Sequence, residues 1–114
     1  MDSRISALIS KALDGLSLRG QVTAQNIANA NSANYRPMRV SFESELRAAS
    51  ASGPIAVKSV PLKVLQVEAT AGSHGQRIDL ELATASDTAM RYGALIDVLS
   101  RELQLQRTII RGGQ

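Results

Sequence analysis

From Tyr92 to the end of the chain, apolar residues recur at a spacing that fits only a long helix: Tyr92, Ile96, Leu99, Leu103, Gln106 and Ile110 step by four, three, four, three and four. That is a heptad seam with one polar position, Gln106. A second stripe, Leu95, Val98, Glu102, Leu105 and Ile109, widens the apolar face beyond what one partner helix covers. Run from about Leu80 to Ile110 with Asp79 as its cap, this helix is ~45 Å long, more than a small globule encloses. Gly112 and Gly113 supply its stop.

The other end of the chain reads in the same way. Between about Asp2 and Ala30, Ile5, Leu8, Ile9, Ala12, Leu13 and Leu16 keep amphipathic helical spacing, with Asp2 or Ser3 as the cap. Gly15 and Gly20 each weaken that helix by up to roughly 1 kcal/mol relative to Ala, so a bend or a close helix–helix approach is expected there. The chain of 114 residues has only three aromatic side chains, Tyr35, Phe42 and Tyr92. A large self-sufficient core is therefore excluded, and association is the natural remedy. The fold class expected is mainly α: long N- and C-terminal helices packed as a coiled-coil-like hairpin, with a short irregular or β-hairpin middle.

Three regions follow: 1–49, the first helix with its exit turn and an extended segment; 50–78, a flexible or short β middle; and 79–114, the last helix. The two outer regions form one helical domain. Within the first, Pro37 forces extended backbone at Arg36, and Phe42 to Ala49 returns to helix with Phe42, Leu46 and Ala49 on one face. In the middle, the alternation at Leu62, Val64 and Gln66 predicts a strand, with Ile55 to Val60 as its hairpin partner.

Composition removes several classes of function. There is no cysteine, hence no disulfide, thiolate chemistry or Cys-based metal site. The single histidine, His74, stands in a Gly-Ser-His-Gly setting and reads as a solvated loop residue. Asp79 and Glu81 are explained by capping and by favourable charge near a helix N-terminus. No nucleophile–base pair, phosphate loop or metal-ligand spacing appears, so no catalytic residue, cofactor site, metal site or small-molecule substrate is assigned, and the chain reads as non-enzymatic. Thirteen basic against ten acidic residues give a charge of +3, too mild to argue for nucleic acid. No apolar run approaches the ~20 residues of a membrane span, and Met1-Asp2-Ser3-Arg4 opens an amphipathic pattern rather than a signal-peptide core.

The most distinctive segment is the exit from the first helix, Gln25-Asn26-Ile27-Ala28-Asn29-Ala30-Asn31, followed by Tyr35 and Arg36. Asparagine competes with helical hydrogen bonds and tolerates left-handed backbone, so this run is a programmed helix exit. Preceded by Leu16, Leu18 and Arg19, it resembles the N-terminal signature of the flagellar rod and hook axial proteins. A second block, Ile78-Asp79-Leu80-Glu81, then Ala89-Met90-Arg91-Tyr92, Leu95, Leu99 and the Arg107-Thr108-Ile109-Ile110-Arg111-Gly112 ending, is similar to the proximal-rod branch of that family. Ala33 and Asn34 stand where the family often has Pro and Gly, and Asn34 can still take the left-handed turn.

The resemblance implies a structural subunit exported through the flagellar type III machinery without a cleaved signal. Such a subunit polymerises with itself and other rod proteins, next to rotor- and export-gate-proximal adaptors, into the periplasmic drive shaft of the basal body. It assigns Asn26, Asn29, Asn31 and Tyr35 to the orienting turn, and Ile5, Ile9, Leu16, Tyr92, Ile96, Leu99, Leu103 and Ile110 to helix packing and assembly. The alternative reading is a small basic helical adaptor for nucleic acid or a coiled-coil partner.

Overall fold

The computed structural model describes residues 2–67 and 74–112, with side chains described for 2–67 and 77–112. Among the described residues the chain is mainly helical, 74%. In order it forms α1 (Ser3–Ala28), β1 (Met38–Ser41), α2 (Glu43–Ser50), α3 (Pro54–Lys58), β2 (Lys63–Gln66) and α4 (His74–Gly112).

The N-terminal helix starts where the sequence places its cap: the Asp2 side chain accepts a hydrogen bond from the Arg4 N–H at 2.9 Å. α1 and α4 run antiparallel along each other, with Asn26 meeting Glu81 near one end and Leu8 and Ala12 facing Leu95 further along. α4 has 39 residues, ~58 Å of helix. At this register Ser3 lies opposite roughly residue 104, so about two turns of α4 run on beyond α1. The result is a rod-like body of 64 × 25 × 15 Å.

One face of α1 supports everything between the two long helices. Phe42, Leu46, Val57 and Val60 form the core with Ala7, Leu16, Val22 and Val40. Phe42 is 2% exposed, and its ring lies directly against Gly15, where an added Cβ would fall on three ring carbons. The close approach at Gly15 is thus made by the Phe42 ring and not by another helix, whereas a Cβ at Gly20 would meet nothing within 4 Å. Arg19 lies over the same ring, 5.1 Å from its centroid, and its guanidinium donates to the Val40 carbonyl and to both oxygens of Glu43. That bidentate bond, foremost, holds the Glu43 carboxyl below the usual carboxylate range.

Two details of the middle differ from the sequence reading. The strand expected around Leu62 to Gln66 is present at Lys63–Gln66, but it pairs antiparallel with β1, Met38 opposite Gln66 and Ser41 opposite Lys63. Ile55 to Lys58 is helical instead. Gly53 at φ 95° and Pro54 at the first helical position start that turn, and the turn fully buries Val57, which β-alternation would not have achieved with Ile55 left exposed. The last helix also begins earlier than expected. His74 is its first residue, so Asp79 is an exposed position inside the helix and not its cap. The Ile78 side chain is half-buried, and packing here extends the helix past the residue that propensity alone would choose. The side chain of His74 and the residues 113–114 lie outside the described residues.

Candidate assembly site

At the exit of α1 the asparagine run divides its labour. Asn29 ends the helix: both its backbone N–H and its side-chain Nδ2 donate to the Gln25 carbonyl, at 3.0 and 2.9 Å. Asn34 then takes φ 65°, the left-handed turn that asparagine tolerates. Asn31 and Arg36 are exposed, Ala28 is exposed, and Ile27 and Ala30 are half-buried.

Asn26 does something different. It is 2% exposed and uses both donors and both lone pairs of its amide. Nδ2 donates to the Met38 carbonyl at 2.9 Å and to Glu81 Oε2 at 3.1 Å, while Oδ1 accepts from the Met38 N–H at 3.0 Å and the Tyr35 hydroxyl at 2.9 Å. One side chain therefore ties the end of α1 to the turn, to the first residue of β1 and to α4. On its other oxygen Glu81 accepts from Arg39 Nη1 at 2.6 Å, the Glu81 side chain being 4% exposed and that of Arg39 35%. A buried carboxylate is tolerated because both oxygens have partners, one of them charged.

The apolar surface of α4 is the second part of the site. Among the described side chains its half-buried or buried positions are Arg77, Ile78, Glu81, Thr84, Ala85, Thr88, Leu95, Leu99, Glu102 and Gln106, one stripe along the helix. This line draws on both stripes seen in the sequence and lies between their remainders. The intramolecular seam thus differs from the heptad of Tyr92, Ile96, Leu99, Leu103, Gln106 and Ile110, of which only Leu99 and Gln106 are half-buried. Tyr92, Ile96, Leu103 and Ile110 form an exposed flank on one side of it, and Val98, Leu105 and Ile109 an exposed flank on the other, Ile109 and Ile110 reaching 68%. On α1, Ile9 and Leu16 are buried while Ile5 is 42% exposed.

No family model matches the chain, and no curated protein sequence matches it significantly. Geometry therefore has to carry the reading. Of the residues assigned from sequence, the structure brings Asn26 and Tyr35 into one polar cluster and leaves Ile5, Tyr92, Ile96, Leu103 and Ile110 facing outward. The sequence reading missed Arg39 and the role of Glu81. The one available signal was an acidic residue recurring on the helix face that also carries Thr88 and Leu95, a polar position where a core residue was due. Among the described residues no cluster of metal-ligating side chains occurs, and no helix is long and apolar enough to cross a membrane.

Proposed function

We propose that the chain is a structural, non-enzymatic subunit of the bacterial flagellar rod, similar to the proximal-rod protein FlgB. In this reading it is exported without a cleaved signal and packs with copies of itself and with other rod proteins into the periplasmic shaft that transmits torque. The observation that carries the reading is the meeting of the two resembling sequence blocks. Asn26 and Tyr35 come from the first and Glu81 from the second, and their side chains close on one another inside the fold. A motif that couples the two long helices sets the geometry of everything displayed on them.

The exposed flanks of α4 support the same reading. The chain has 7614 Å² of accessible surface, whereas a compact monomer of its mass has about 6000 Å². The excess of roughly 1600 Å² is that of an elongated body whose helix flanks are left uncovered. Two different flanks on one helix suit a heterologous contact, which builds an open helical assembly where the rotation does not close into a ring. Deleting the coding region in its source bacterium tests the proposal. Loss of swimming and of rods in electron micrographs, restored by the intact chain, is expected; a deletion strain with normal rods and motility overturns it.

A further inference from the structure

A cleft of about 520 Å³ opens between α1, α2 and α4, on the side of α4 that bears Val98, Leu105 and Ile109. Leu8, Ala12, Leu46, Ala94 and Leu95 give it an apolar floor. Its walls are three helices whose backbone groups are already used in helical hydrogen bonds, so there is no strand edge for an extended peptide to pair with. An occupant has to satisfy its own backbone, as a helix laying an apolar seam into the cleft does.

The rim decides which helix. Two permanently charged guanidiniums, Arg47 and Arg91, line it beside one carboxylate, Glu43, which is already held at 2.7 Å on both oxygens by Arg19. Arg91 pairs only with Asp87 one turn away, at an exposed site, and Arg47 has no ion pair among the described residues. The end of α4 from a second copy is a poor fit, because Arg101, Arg107 and Arg111 outnumber Glu102 there. We infer that this cleft is a docking site for an amphipathic helix of another protein whose apolar seam is flanked by acidic residues. The inference rests on the cleft alone and stands or falls independently of the rod assignment.

Two fluorescent helical peptides of roughly five turns, sharing one leucine seam and flanked by Glu or by Lys, test it against the full chain by anisotropy. The Glu-flanked peptide is expected to bind, the Lys-flanked one about tenfold more weakly, with the difference shrinking as salt rises. Arg47→Glu with Arg91→Glu changes two exposed residues and leaves the circular dichroism intact, and it is expected to invert that preference. Ala94→Trp, which fills the cleft, is expected to abolish binding of both. Failure of the Glu-flanked peptide to bind, equal affinity for the two peptides, or a preference unmoved by the double reversal overturns the inference.

Discussion

Replacing Asn26 is the most informative single perturbation, because one amide carries four buried hydrogen bonds. Asn26→Ala removes three bonds to neutral partners, each worth about 1 kcal/mol, and one to the Glu81 carboxylate, worth about 1.5–3 kcal/mol. The Tyr35 hydroxyl is only part-buried and recovers a water, which offsets one bond. The expected loss is therefore about 3–5 kcal/mol, a large share of the stability of a small domain. Asn26→Asp keeps the shape and both acceptors but loses both donors, and its carboxylate faces Glu81 Oε2 and the Met38 carbonyl. The folded state then favours the protonated acid, so the deficit of this variant relative to the parent narrows as pH falls from neutral. Urea unfolding at several pH values reads both effects, with Asn31→Ala, an exposed asparagine of the same run, as the control at within about 0.5 kcal/mol. A loss below ~1 kcal/mol for Asn26→Ala, indistinguishable from a typical single mutation, refutes the idea that this residue couples the helices.

Three further outcomes follow from the packing and charges. Gly15→Ala is expected to destabilise by about 1–3 kcal/mol despite better helix propensity, because the added Cβ falls on three carbons of the buried Phe42 ring, which must shift, while Gly20→Ala stabilises by up to ~1 kcal/mol; thermal melts of the pair separate the two causes. The Glu43 carboxyl is lowered by Arg19, so its contribution is present above its ordinary value of 4.5 and is lost as pH falls through the lower folded value. The melting temperature of the parent should drop on acidification below about pH 4.5, and Glu43→Gln should flatten that drop. Leu103→Asp with Ile110→Asp alters two exposed positions, so circular dichroism and melting should stay close to the parent while, under the rod proposal, swimming is lost; retained motility argues that this flank meets no neighbour.

Much of this architecture was legible from short-range rules. The Asp2 cap, the helix exit at Asn29, the left-handed Asn34 and the face shared by Phe42, Leu46 and Ala49 are all local decisions, set by residues within a turn of each other. What the sequence concealed depends on contacts between distant segments. β2 pairs with β1 because Phe42 and Val40 seat β1 on α1 and leave that edge open. Ile55 to Lys58 looks β-branched yet turns helical to bury Val57. The line on α4 that meets α1 was hidden for a related reason: two apolar stripes of similar strength flank a polar-spotted line, and α1 takes the line between them, where Asn26 and Glu81 fix the rotation of one helix against the other. A buried polar pair that sets register is invisible to a count of apolar spacing.

The measurement that most directly tests the proposed rod assignment is the recovery of the tagged chain with hook–basal-body particles isolated from its source organism, washed at low and at high salt. Packing through apolar helix faces predicts that the chain stays with the particles in a fixed ratio through both washes, and that the Leu103→Asp, Ile110→Asp variant is missing from them. A chain absent from the particles, or stripped by salt alone as phosphate contacts would be, contradicts it.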